Sequence, residues 1–137
     1  FADVEGQPVY YNLTVLPKGL PTGSWSRVLE ASTAVAGELS YNLYDHKARP
    51  VRVRTLNYMG GYTQTDTKLD FSGKVLYKVT GHNRTATGSL VTVREDFTYS
   101  SQDRLLNRSH KIGNRASEFL SKNSNGFSML SHKKIVP

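Results

Sequence analysis

The sequence predicts an all-β fold of antiparallel β-hairpin repeats. Three observations carry that expectation: apolar and polar residues alternate with period two, turn-forming tetrapeptides separate the alternating runs, and one turn-and-strand unit recurs at spacings of 25 and 30 residues. Eight Tyr and five Phe suit half-buried pleated surfaces better than helix interiors.

Taken in chain order, Val9, Tyr11, Leu13 and Val15 share one face while Asn12 and Thr14 point the other way, and Pro17, Gly19 and Pro21 end the run. Between Arg27 and Glu38, Leu29, Glu30, Ala31 and Ala34 favour a helix, but Ser32, Thr33 and Gly37 oppose it. The stretch from Ala116 to Lys122 has room for two helical turns at most, and neither segment is assigned as helix. Val51 and Val53 alternate with Arg52 and Arg54, and Val75, Tyr77 and Val79 alternate with Lys78 and Thr80. Val91, Val93, Phe97 and Tyr99 stand against Thr92, Arg94, Asp96 and Thr98, with Glu95 the exception on the apolar side.

Three turns separate these runs: Asp45-His46-Lys47-Ala48, Asp70-Phe71-Ser72-Gly73 and Ser100-Ser101-Gln102-Asp103. Asp or Ser in first place caps such a turn through its side chain, and the fourth place wants a left-handed residue. Gly73 meets that need without strain, Asp103 tolerates it, and Ala48 departs from it because of its Cβ. Gly60-Gly61, between Tyr58 and Tyr62, reads as a further turn or bulge.

The chain has 137 residues, no cysteine and a formal net charge of +7. A disulfide framework, a thiolate metal site and a cysteine nucleophile are thereby excluded. No uncharged run approaches the roughly 18 residues of a membrane-spanning helix. The opening Phe1-Ala2-Asp3-Val4-Glu5 lacks the basic and apolar regions of a signal peptide, and the expectation is a section of a longer chain. Residues 1–43 carry a net −2 and residues 44–137 a net +9, with the basic groups placed singly on alternating strands. That spacing suits solvated strand faces and makes nucleic acid an unexpected partner.

The repeated unit reads Tyr44-Asp45-His46-Lys47-Ala48-Arg49-Pro50-Val51, then Leu69-Asp70-Phe71-Ser72-Gly73-Lys74-Val75-Leu76, then Tyr99-Ser100-Ser101-Gln102-Asp103-Arg104-Leu105-Leu106. A weaker fourth copy starts near Ser124. The expected organisation is a β-rich lead-in segment, 1–43, followed by about four degenerate repeats in 44–137 that start near 44, 69, 99 and 124. Arg49, Lys74 and Arg104 fall at equivalent places.

The pattern Tyr-Asp-x-x-Gly-Arg-Leu resembles the YD repeat of the RHS family, large secreted or surface-exposed bacterial proteins that include many polymorphic toxins. The likeness extends to Gly19-Leu20-Pro21-Thr22-Gly23-Ser24-Trp25, Asn57-Tyr58-Met59-Gly60-Gly61-Tyr62 and Phe97-Thr98-Tyr99, and covers roughly residues 17–135. Ala48 for Gly, Leu69 for Tyr and Ser100 for Asp depart from it. The resemblance implies a strip of hairpins spiralling into a hollow shell that encloses or presents another domain, at the cell surface or secreted. A single hairpin is marginal alone, so each repeat is expected to lean on its neighbours. The expected partners are the remainder of the same polypeptide or another chain completing the sheet.

No catalytic constellation is expected, nor a cofactor or metal site. His46, His82, His110 and His132 are far apart and lack the spacing of a metallohydrolase helix. Asp66 with Asp70, and Glu95 with Asp96, are expected to cap turns and to pair with Arg94 or Lys68. Ser24 lacks the second glycine of a nucleophile elbow, and three sequons at Asn12, Asn83 and Asn107 carry little weight. Tyr10, Tyr11, Trp25, Tyr41, Tyr44, Tyr58, Tyr62, Tyr77 and Tyr99 read as inward-facing stacked rings rather than a sugar platform. The functional expectation is therefore a non-enzymatic structural section. The alternatives are a carbohydrate or polyanion binding module and a surface complex completed by strand addition.

Overall fold

A computed structural model of the chain describes residues 3–9, 19–29, 36–113, 118–123 and 126–130, the last two segments by their backbone alone. The described residues form eleven strands and no helix: β1 (Asp3–Val4), β2 (Gln7–Pro8), β3 (Gly23–Arg27), β4 (Gly37–Tyr44), β5 (Pro50–Leu56), β6 (Gly60–Leu69), β7 (Val75–Thr85), β8 (Val91–Tyr99), β9 (Leu105–Ile112), β10 (Glu118–Asn123) and β11 (Gly126–Leu130). β1 and β2 make a small hairpin. The other nine form one antiparallel sheet in unbroken meander order, each strand beside its chain neighbour. The all-β antiparallel hairpin architecture is therefore present, and β10 occupies most of the second segment with helical character.

The alternating run at 10–18, the centre of the first helix-tempting stretch at 30–35, and Ser124, Asn125 and His132 lie outside the described residues. β4 runs across the expected boundary at 43/44, so the sheet is continuous there. At the fourth expected repeat, Asn123 pairs with Gly126 and leaves two residues between them. Tyr44 with Pro50, Leu69 with Val75 and Tyr99 with Leu105 each bracket five.

Register decides what shares a face, because side chains alternate across a strand. Trp25, Leu39, Tyr41, Arg52, Arg54, Tyr62, Asp66, Tyr77, Val79, Arg94 and Asp96 lie on one face. Ser40, Thr55, Val53, Thr63, Thr65, Thr80, His82 and Val93 lie on the other. This corrects the expectation of separate solvated faces for the basic residues. The apolar phase of β7 falls on the same side as the arginines of β5 and β8, so neither face is uniformly apolar.

The consequence is a sheet with very little core. Among the residues whose side chains are described, only Val4, Tyr44 and Val51 are buried hydrophobics, Val51 completely so at 0% exposure. Trp25 at 54% and Val91 at 47% stand open to solvent on opposite faces. Cohesion comes instead from the ladder and from polar pairs across it, such as Ser40 Oγ with Thr55 Oγ1 at 2.9 Å and Thr65 Oγ1 with Thr80 Oγ1 at 3.1 Å. The β1–β2 hairpin lies on the arginine-bearing face. There Lys68 Nζ donates to Glu5 O at 2.8 Å and Tyr77 OH donates to Glu5 Oε2 at 2.8 Å.

Candidate functional site

The repeat residues converge on one end of the sheet. The β4–β5, β6–β7 and β8–β9 turns lie in a row there, and all three close in the same way. Asp45 N donates to Arg49 O at 3.0 Å, Asp70 N to Lys74 O at 2.9 Å and Ser100 N to Arg104 O at 2.8 Å. Within each turn the fourth residue donates back to the first: Ala48 N to Asp45 O, Gly73 N to Asp70 O and Asp103 N to Ser100 O. Ala48 and Asp103 take φ of 61° and Gly73 takes 98°. This is a type I turn continued by a left-handed residue, the form that three-residue hairpin loops favour.

The first residue caps its own turn. Asp45 Oδ1 accepts from Lys47 N at 2.9 Å and from Arg49 N at 3.0 Å. Asp70 Oδ1 accepts from Lys74 N at 2.8 Å and from Ser72 Oγ at 2.8 Å. Ser100 Oγ accepts from Gln102 N and Arg104 N, both at 3.2 Å. The longer distances fit a neutral hydroxyl in place of a carboxylate. Just beyond each turn the register slips by one, leaving Val51, Leu76 and Leu106 without a pairing partner across the hairpin as bulged residues.

A fourth turn of this kind sits at the opposite end of the sheet. Asn57 Oδ1 accepts from Met59 N at 3.0 Å and Gly61 N at 2.9 Å, and Gly60 supplies the left-handed residue at φ 81°. The Gly60-Gly61 signal located it, but the capping Asn57 was not singled out. A methyl group on Gly61 would collide with the β7 backbone at Asn83 and Arg84, which accounts for glycine there.

The first two turns also reach the one that follows. Arg49 binds its own Asp45 at 2.6 Å and extends Nη1 to Asp70 O at 3.0 Å. Lys74 pairs with Asp70 at 3.4 Å and with Asp103 at 2.5 Å. Lys47 Nζ donates to Phe71 O at 2.9 Å and lies 3.4 Å from the centre of its ring. In the opposite direction, Tyr44 OH donates to Pro21 O at 2.7 Å and Tyr99 OH to Val75 O at 2.9 Å. Leu69 stands at the equivalent place between them and has no hydroxyl, so the second turn lacks this bond. Arg104, third in the basic series, is exposed.

Electrostatics follow from this geometry. Burial alone pushes the Asp45 carboxyl up, but the Arg49 side chain, the backbone N–H groups of Arg49 and Lys47 and the Arg49 charge together hold it below the ordinary value. For Asp70 the desolvation cost is likewise outweighed, by Ser72 and by the Lys74 backbone and side chain, and its pKa falls to about 2.

Between the first two turns lies a cleft of about 190 Å³ lined by Gln7, Asp45, His46, Arg49, Leu69 and Phe71 among others. The β5–β6 ladder ends at Arg52 and Asp66, and Gln7 closes the gap beyond it. Gln7 Nε2 donates to Thr67 O at 2.7 Å, while Gln7 Oε1 accepts from Leu69 N at 2.9 Å. No sequence signal pointed to Gln7.

Asp66, Asp70, Glu95 and Asp96 are all engaged in structural pairs. Asp66 holds Arg52 at 2.6 Å, Asp96 holds Arg94 at 2.8 Å, Glu95 pairs with Arg108, and Asp70 caps its turn. Lys68, expected as a partner of Asp66 or Asp70, bonds to Glu5 O because the β1–β2 hairpin lies over it. His46 projects from an exposed turn, and His82 Nδ1 meets Thr63 Oγ1 at 2.8 Å. Among the described residues no three His, Asp or Glu side chains gather as a metal-binding group. The chain matches no protein-family model, no curated protein and no solved structure.

Proposed function

We propose that this chain is a non-enzymatic structural section of an RHS/YD-repeat protein, contributing hairpins to a secreted or cell-surface shell that encloses or presents another domain. One observation carries the reading: three turns of identical hydrogen-bond pattern stand in a row, and each of the first two passes its basic side chain to the next. Such units depend on their neighbours more than on a central core, as in quasi-one-dimensional repeat proteins. The thin core supports the same reading, since a nine-stranded sheet in which Tyr44 and Val51 are the buried hydrophobics among its described side chains is suited to packing against further protein. Strand addition by another chain is one way to supply that protein.

The test is electron microscopy and intact mass of the native gene product. A hollow particle many times larger than 15.3 kDa is expected, and a solid monomer of 15.3 kDa would overturn the proposal.

A second reading, surface glycan binding, rests on Trp25 alone. Its indole lies across Gly37, where a Cβ would collide with it, and the side chain remains 54% exposed. Tyr62 and Tyr77 do not extend that platform, because Arg54 and Arg94 cover their rings at 4.2 Å. Glycan binding that survives high salt and disappears in Trp25→Ala would support this alternative.

A further inference from the structure

Two arginine–tyrosine stacks of the same geometry lie on the hairpin-bearing face, and only one is complete. The Arg94 guanidinium carbon sits 4.2 Å from the centre of the Tyr77 ring, and Arg54 sits 4.2 Å from that of Tyr62. In both cases the tyrosine comes from the adjacent strand, two places before the residue paired with the arginine. Two residues beyond Arg94 stands Asp96, whose carboxylate accepts from Nε at 3.1 Å and from Nη2 at 2.8 Å. Two residues beyond Arg54 stands Leu56, which offers no acceptor. Arg54 has a long 3.4 Å contact from Nη1 to Gln64 Oε1, and its Nε is buried without a hydrogen-bond partner. A buried guanidinium donor left in that state is unfavourable, and a carboxylate is the acceptor that matches the planar fork.

The same face shows what kind of chain segment it accepts. The β1–β2 hairpin, carrying Asp3 and Glu5, lies over it, and Glu5 receives the Tyr77 hydroxyl at 2.8 Å. The Glu5 charge also helps to hold the Arg52 and Arg94 pKa values up, behind the larger effects of Asp66 and Asp96. Beside the hairpin, over β3 to β5, the face presents Trp25 at 54% and Leu39 at 45% exposure, together with exposed Arg27. Apolar side chains next to an unsatisfied cation complement a segment that alternates acidic and apolar residues.

We infer that Arg54, lying on Tyr62, anchors a carboxylate from an extended acidic segment of a protein partner that docks beside the β1–β2 hairpin. This goes beyond the shell reading and does not depend on it.

The probe is the synthetic peptide acetyl-Val-Glu-Val-Glu-Val-amide, titrated into the full chain while the Arg54 Nε–Hε resonance and the β4 and β5 amides are followed by NMR. The Glu peptide is expected to move the Arg54 resonance downfield, and its Gln twin to bind about tenfold more weakly. Arg54→Lys keeps the charge but loses the fork, and weaker binding is expected. Leu56→Asp copies Asp96 and is expected to block the peptide while the amide spectrum stays folded. Equal binding of the Gln twin, undiminished binding in Leu56→Asp, or no binding at millimolar peptide would overturn the inference. N-acetylglutamate binding as tightly as the peptide would also overturn it, by showing a site for small carboxylates.

Discussion

The carboxamide of Gln7 stands where a peptide group of a neighbouring strand would stand beside Leu69. It accepts the Leu69 N–H at 2.9 Å and donates to Thr67 O at 2.7 Å, both on the edge of β6 that the β5 ladder leaves behind after Arg52 and Asp66. One side chain thus satisfies two backbone groups separated from it by about sixty positions in sequence. Gln7→Ala leaves both without that partner and is expected to cost about 1–3 kcal/mol. The Leu69 amide should be slow in hydrogen exchange in the parent chain and fast in the variant. Unchanged protection of Leu69 would show that the ladder satisfies it by another route.

Ala48 holds φ at 61° with a Cβ, in a place where the second turn uses Gly73. Ala48→Gly is expected to stabilise the chain by about 1 kcal/mol, and Gly73→Ala to destabilise it by a similar amount. The measurement is the urea midpoint of each variant at constant m-value. A destabilised Ala48→Gly would mean that the left-handed conformation carries no strain there.

Tyr44 and Tyr99 each fasten a turn to the hairpin before it through the phenol, at 2.7 Å to Pro21 O and 2.9 Å to Val75 O. Tyr44→Phe and Tyr99→Phe keep the rings and lose the hydroxyls, with an expected loss of about 0.5–1.5 kcal/mol each. The two positions share no partner, so the double variant should show additive losses by chemical denaturation.

The caps make stability depend on acid. Asp45 is held below its ordinary pKa, and Asp70 falls to about 2. A carboxylate whose pKa is lower in the folded chain contributes stability above its unfolded value, roughly 4, and that contribution disappears as pH falls through the folded value. Unfolding titrations should therefore show a loss between about pH 4 and pH 2. In Asp45→Asn with Asp70→Asn, stability at neutral pH falls and the acid slope flattens.

What the sequence made legible was local. Asp or Ser first and a left-handed residue fourth are chemistry confined to one turn, so the row at Asp45, Asp70 and Ser100 follows from adjacent letters. Period two likewise located β5, β7 and β8. Which face each strand presents was not legible, since the bulges at Val51, Leu76 and Leu106 and the hairpin registers determine how the phases of successive strands line up. For that reason the sharing of one face by Arg54, Tyr62, Tyr77 and Arg94 is not readable from the sequence. Gln7 was hidden for a different reason. An isolated glutamine near the start of a chain carries no pattern, and its partners are distant in sequence.

The central claim is that the hairpins are interchangeable units in a row, each secured by its neighbours. Deleting residues 70–99 removes one unit and joins Leu69 of β6 directly to the Ser100 turn, leaving strand alternation and turn chemistry in phase. Hydrogen exchange monitored by NMR is the direct measurement. The account predicts a shortened, folded antiparallel sheet in which the amides of the Asp45 and Ser100 turns keep their protection. Loss of protection throughout the chain would contradict it, because a single closed domain, not a row of units, would have been broken.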